Sequence, residues 1–174
     1  MGKINAFSFK RWIDEHRHLL KPPVNNAIVF EDSEFLIMVV GGPNQRKDYH
    51  VDPAEEFFYQ LEGEMVLKIV EDGEFRDVRI GEGDILLLPP GVPHSPQRFA
   101  DTVGLVVERR RRPDEHDGLR WYCEQCHEVL YEETFFLTDI TTQLPPVFER
   151  FFGSESNRRC ASCGWLMPAP SKGV

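Results

Sequence analysis

Between about residues 27 and 112 apolar side chains recur at every second position, in short runs broken by glycine, proline and aspartate. This is the pattern of half-buried strands. Runs at 27–30, 35–40, 48–50, 57–62, 64–70, 74–80, 84–88 and 103–109 predict strands, and Gly41-Gly42-Pro43-Asn44, Glu71-Asp72-Gly73, Gly81-Glu82-Gly83 and Pro89-Pro90-Gly91 predict the turns between them. So many short strands at such spacing imply a mainly β sandwich or barrel, with a hairpin at Glu71-Asp72-Gly73. Ahead of them, Phe9, Trp12, Ile13, His16, Leu19 and Leu20 form a helical stripe. It predicts a helix over 8–20, capped by Ser8 and stopped by Pro22-Pro23. His16 and His18 read as packing or surface residues of that helix. Past Arg112 the character changes again. Residues 112–118 are polar and turn-prone, a linker, and 119–170 hold one helix. Pro145-Pro146 would open it, Val147, Phe148, Phe151 and Phe152 would be its apolar face, and Gly153 would end it. The chain thus divides into a barrel over 1–112 and a small extension over 113–174.

Composition narrows the partners. The 174 residues suffice for one ordinary core. Basic residues number 20 against 29 acidic ones, with no long basic stretch, which argues against nucleic acid. The Arg109–Arg112 run reads as a solvated strand end. No stretch approaches the apolar length of a membrane span and the N-terminus lacks an apolar leader, so a soluble, cytoplasmic protein with no membrane partner is expected. The four cysteines, Cys123-x2-Cys126 and Cys160-x2-Cys163, then read as a metal site before disulfides. Four thiolates fill a tetrahedral ion, zinc or iron, and leave no position for a substrate, so the site is structural.

The chemistry-bearing residues are elsewhere. His50 and Glu56 flank a loop carrying Pro53, and His94 follows the Pro89-Pro90-Gly91 turn. A lone histidine at a strand end is more often a packing residue, but the glycine and proline punctuation around both half-sites favours a ligand set. Two imidazoles and one carboxylate suit a non-haem ferrous ion with open positions, and open positions mean catalysis. Arg46 lies four residues before His50 and Arg98 four after His94, so in strand each shares a face with its ligand neighbour. Taken alone, both arginines also fit surface charges. Glu108 ends an apolar strand, where a buried carboxylate needs a partner. Asn26, Gln60 and Pro96 fit packing or turn roles as well as a pocket wall.

His50-x-Asp52-x3-Glu56-x6-Gly63 and Gly83-x5-Pro89-x-Gly91-x2-His94 resemble the two cupin motifs, with Asp52 where many cupins have a second histidine and Arg98 where many end in asparagine. The resemblance implies a double-stranded β-helix, or jelly-roll barrel. More narrowly, Lys21-Pro22-Pro23-Val24, Gly41-Gly42-Pro43-Asn44, Asp48-Tyr49-His50, Asp52-Pro53, Glu55–Gln60, Leu87–Pro90 and His94–Arg98 resemble the 3-hydroxyanthranilate 3,4-dioxygenase family in its bacterial and fungal form. That likeness runs from about residue 8 to 165. It implies an extradiol-type, ring-cleaving oxidoreductase of tryptophan (kynurenine) breakdown, NAD formation or nitrobenzoate degradation. Its catalytic Fe(II) would sit on His50, Glu56 and His94, with O2 as co-substrate. Arg46 and Arg98 would hold the substrate carboxylate, and Glu108 its amino or hydroxyl group, with a part in proton movement. A rubredoxin-like iron on Cys123, Cys126, Cys160 and Cys163 and a homodimer would complete it. A ferrous ion and two arginines set against Glu56 and Glu108 leave two positive charges in excess, which an anionic aromatic substrate would offset.

Two other readings fit part of the pattern. Another cupin dioxygenase or isomerase fits the ligand set, although the two arginines and Glu108 tell against a thiol or sugar substrate without deciding the matter. A ligand-sensing cupin for an aromatic carboxylate would normally add a basic helix pair, and none appears in the sequence.

Overall fold

The computed structural model describes residues 4–22 and 25–170; Pro23 of the predicted helix stop and Val24 of the family-like stretch lie outside them. Helix α1 (Phe9–His16) starts where predicted, with Ser8 Oγ accepting from the Arg11 amide at 3.3 Å. It tightens into a 3-10 turn at Arg17–Leu19 instead of running on, closed by Leu20 N–H to Arg17 O. His16 stacks on Trp12 at 4.1 Å.

Among the described residues twelve strands follow: β1 (Asn26–Ile28), β2 (Phe35–Gly41), β3 (Asn44–Gln45), β4 (Asp48–Val51), β5 (Glu56–Glu62), β6 (Met65–Glu71), β7 (Glu74–Ile80), β8 (Ile85–Leu88), β9 (His94–Arg98), β10 (Val103–Arg109), β11 (Asp117–Tyr122) and β12 (Val129–Phe135). They form two antiparallel sheets, ordered β1-β2-β10-β5-β8 and β12-β11-β4-β9-β6-β7, with β3 on β9. The β6–β7 hairpin closes at the predicted Glu71-Asp72-Gly73 turn. This is the mainly β cupin architecture that the sequence predicts.

Alternation divides the barrel interior. Met38, Phe58, Met65, Leu67, Ile69, Ile80, Leu88 and Val106 pack one half as an apolar core. The other half receives Glu56, Gln60, His94, Arg98 and Glu108, all buried and polar. Outside the first sheet, Ile13 and Leu20 of the N-terminal segment cover Ala27, Val39 and Val103.

Past Arg112 the structure adds more order than predicted. β11 pairs with β4, placing Leu119 opposite His50, and β12 extends the sheet. Helix α2 (Ile140–Gly153) begins five residues before Pro145, a correction to the expected proline start. Asp139 O accepts from the Gln143 amide, and Gln143 Oε1 accepts from the amides of Thr138 and Asp139. That reciprocal capping nucleates the helix ahead of the prolines. Val147 and Phe151 of α2 pack on Leu119, Trp121 and Met167, and Gly153 ends the helix as predicted. A short α3 (Glu155–Arg158), capped by Ser154, leads to the second cysteine pair.

Candidate functional site

His50 on β4 and His94 on β9 are direct cross-strand partners, and Glu56 opens β5 in the facing sheet. The strands bring a donor atom from each within 4.8 Å of the others. His94 Nδ1 lies 3.0 Å from Val92 O, which assigns the ring proton to Nδ1. Nε2 is then unprotonated in the neutral ring, yet it points at Glu56 Oε2 from 2.8 Å. That oxygen is buried and accepts no aligned hydrogen bond. Two lone pairs converging in a buried site call for a cation between them. In the absence of a metal a proton on His94 Nε2 takes that place: burial alone would raise Glu56, but the charge of the protonated His94 outweighs it and brings the carboxyl down to about 2. Against the desolvation of its ring, His94 is raised by Glu56. The donor set fits a divalent metal.

Around this triad lies a cavity of about 230 Å³. Arg46, Arg98 and Glu108, the candidates for substrate contact, line it, and so do Asn26 and Pro96. Met38, Phe58 and Val106 form an apolar wall, and Leu137 and Leu144 reach in from beyond β12. The two arginines differ. Arg46 stands between β3 and β4, not within a continuous strand, and is ion-paired with buried Asp48. Arg98 is 3% exposed, donates from Nη1 to Gln60 Oε1 at 3.2 Å, leaves Nε without a partner, and makes no ion pair with the described residues. Burial, only partly opposed by Glu56, pulls its guanidinium down to about 10. A desolvated cation of this kind lacks an anion.

Glu108 pairs with Glu56 across β5 and β10. Carboxylate oxygens of Asp52, Glu56 and Glu108 lie within 4.8 Å of one another. Burial first, then Glu56, push Glu108 well above the ordinary carboxylate value. Its partner is Arg111, whose Nη2 lies 3.0 Å from Glu108 Oε2.

Arg111 and Asp117 were not legible as site residues. Arg109 and Arg110 do behave as a strand end, pairing with Glu115 and with the backbone of Ser33 and Glu31. The side chain of Arg111 instead is only 2% exposed and touches Asp52, Glu108 and Asp117. Asp117, in the supposed linker, is fully buried, with Oδ1 at 2.7 Å from His50 Nε2. The signal available was the Leu119/Trp121 alternation directly after Asp117-Gly118, which marks a strand start and so an inward-facing position. These additions also correct the charge count: Arg111 brings one positive charge, and Asp48, Asp52 and Asp117 bring three negative ones. The excess of two positive charges disappears, and the case for an anionic ligand rests on Arg98 alone.

The four cysteines converge at the other end of the extension, with Cys123 and Cys163 Sγ 3.5 Å apart and Cys126 and Cys160 Sγ 3.4 Å apart. These separations are far beyond the ~2.05 Å of a disulfide and near the edge of a thiolate tetrahedron with ~2.3 Å metal bonds. The two pairs form matching knuckles. Cys123 N–H donates to Glu128 O and Cys160 N–H to Trp165 O, while His127 and Gly164 donate back to Cys123 O and Cys160 O. His127 and Gly164 both adopt positive φ, 65° and 77°, which the tight turn demands. The ligand set fits a four-coordinate metal.

Comparison with known proteins agrees with the geometry. The family described as 3-hydroxyanthranilic acid dioxygenase matches residues 1–152. A 3-hydroxyanthranilate 3,4-dioxygenase of Xanthomonas euvesicatoria is 58% identical over 169 residues, 97% of this chain and 96% of that one. The corresponding protein of Jannaschia sp. is 54% identical over 97% of this chain and 94% of its own length. A cupin-2 domain protein from Shewanella frigidimarina has a TM-score of 0.47 at 16% identity, covering 56% of this chain and 92% of that structure. Matched in sequence over most of its length and carrying a His/Glu/His cluster inside a cupin barrel, the chain belongs to the 3-hydroxyanthranilic acid dioxygenase family.

Proposed function

We propose that this enzyme opens the ring of 3-hydroxyanthranilate with dioxygen, at a ferrous ion held by His50, Glu56 and His94. The product is 2-amino-3-carboxymuconate semialdehyde, which cyclises to quinolinate. Beside family membership, the observation that carries the reading is Arg98: a buried guanidinium without a carboxylate partner, in the same cavity as the His/Glu/His cluster. Bound there, ferrous iron supplies open positions at which the substrate's hydroxyl and amino groups meet dioxygen.

The protein's part is placement. Arg98, joined by Arg46 on its Asp48 brace, takes the substrate carboxylate in a charge-assisted contact. Met38, Phe58 and Val106 hold the ring faces, and Leu137 and Leu144 exclude water from one side. Glu108 accepts from the substrate's amino or hydroxyl group and, as a cavity-lining carboxyl outside the metal set, can take up or return its proton. Iron or zinc on Cys123, Cys126, Cys160 and Cys163 stabilises the fold without touching substrate. A cytoplasmic homodimer completes the reading. The first sheet turns Phe35, Ile85 and Leu87 to the outside, each more than half exposed, the kind of apolar surface that an interface covers.

The test is direct. The protein is loaded with ferrous iron in the absence of air, 3-hydroxyanthranilate and oxygen are added, and the semialdehyde and then quinolinate are followed by absorbance. No oxygen uptake at verified iron loading overturns the assignment.

A further inference from the structure

We propose that Arg111 and Asp117 are positioning residues that tie the ring of His50 to the carboxylate of Glu108, so that metal and substrate groups are held by one brace. The inference rests on the dioxygenase reading for what the site holds. His50 belongs to one sheet and Glu108 to the other, so nothing in the strand pairing fixes their separation. Arg111, in the connection between β10 and β11, spans the gap. Its Nε donates to Asp117 Oδ2 at 2.8 Å, and Nη2 turns to Asp117 Oδ1 and to Glu108 Oε2. Nη1 donates to Arg109 O at 2.9 Å, and Nη2 also lies 2.8 Å from Asp52 Oδ2, an ion contact without hydrogen-bond alignment. A guanidinium presents its donors in a rigid planar fork, so these partners are fixed relative to one another.

Asp117 passes the constraint to the metal ligand. Its Oδ1 is 2.7 Å from His50 Nε2. Donation from Nε2 leaves the lone pair of the neutral imidazole on Nδ1, so the carboxylate selects both the tautomer and the ring orientation offered to a metal. A brace that served folding alone would not need this polarity. Buried ion clusters are often no more stable than apolar packing of similar volume. Asp117 instead commits an oxygen to a ligand histidine, while the same guanidinium holds Glu108.

Asp117→Asn and Arg111→Lys, made in the full chain, test this. Asp117→Asn preserves shape but removes the charge. It is expected to release ferrous iron from the first site to a competing chelator about 10- to 100-fold more readily than wild type. The melting temperature of the metal-free protein should fall somewhat, because Arg111 loses one of its buried anionic partners, while the metal content of the cysteine site should stay near wild type, which separates a local loss of iron from general unfolding. Arg111→Lys keeps the charge but loses the fork, and is expected to weaken retention in the same direction by a smaller factor. Wild-type retention in Asp117→Asn overturns the proposal. Nitrogen NMR of the zinc-loaded wild-type chain decides independently of how the variants fold: His50 should carry its proton on Nε2, and a proton on Nδ1 overturns the proposal. Failure of wild type itself to bind iron or consume oxygen strikes the dioxygenase reading instead.

Discussion

A β-carbon on Gly104 would stand 2.5 Å from Arg98 Nη1 and 3.0 Å from Gln60 Oε1. The absence of a side chain on β10 is therefore what lets the guanidinium lie flat against that strand and reach the cavity. Gly104→Ala should displace the arginine, which is flexible at its far end, and leave the fold intact. A charge-assisted hydrogen bond to the substrate contributes about 1.5–3 kcal/mol, so KM should rise about 10- to 100-fold with little change in melting temperature. Steady-state kinetics beside a thermal melt check this, and an unchanged KM argues against Arg98 as the carboxylate anchor.

The two arginines should separate in behaviour. Arg98→Met removes a buried cation that has no anionic partner, so stability should hold or rise while KM increases strongly. Arg46→Ala strands Asp48, which is 3% exposed. Loss of that partly solvated pair should cost about 2–3 kcal/mol, or roughly 4–12 °C in Tm, in addition to raising KM. Equal melting temperatures for the two variants would contradict the asymmetry.

His94→Ala removes the nitrogen that faces Glu56 Oε2 at 2.8 Å. Turnover and metal binding at the first site should vanish together, while metal held by the cysteines remains. Elemental analysis of purified protein, with an oxygen electrode, measures both. Full activity in this variant would exclude the assigned triad.

Cys160→Ser should act on the fold more than on chemistry. Cys160 is buried, and its knuckle precedes Met167, which packs on Trp121 and Phe151. Loss of a structural metal should cost about 4 kcal/mol or more, roughly 8–16 °C in Tm, with kcat per metal-loaded first site within about threefold of wild type. Complete loss of turnover in folded, iron-loaded protein would make the second site catalytic.

Most strands over 27–109 were legible because alternation is a local property: Glu74–Ile80 and Val103–Arg109 occur at their predicted limits, whereas β3 and the proline-containing β9 fall outside the predicted runs. The cysteine knuckles and the His50/Glu56/His94 set were legible for a similar reason, since metal-ligand spacing is written in short motifs. Helix α2 was misplaced at its start because the prolines are a strong local signal, while the cap from Asp139 and Gln143 depends on side-chain hydrogen bonds that composition does not display.

By itself the sequence determined the mainly β barrel and marked His50, Glu56 and His94 as candidate ligands, because periodicity and motif spacing act over a few residues; Arg46, Arg98 and Glu108 stood out only through the family resemblance. Only the tertiary structure decided which charges are buried together. Arg111 sits in a run of four arginines and Asp117 in a polar turn, so both look solvated in sequence. Pairing of β11 with β4 carries Asp117 to within 2.7 Å of His50, 67 positions earlier, and burial turns Arg111 into the cation shared by three carboxylates. Electrostatic environment depends on distance and solvent exclusion, which chain order does not encode directly. The same contacts cancelled the charge excess inferred from sequence and left Arg98 as the group that asks for an anion.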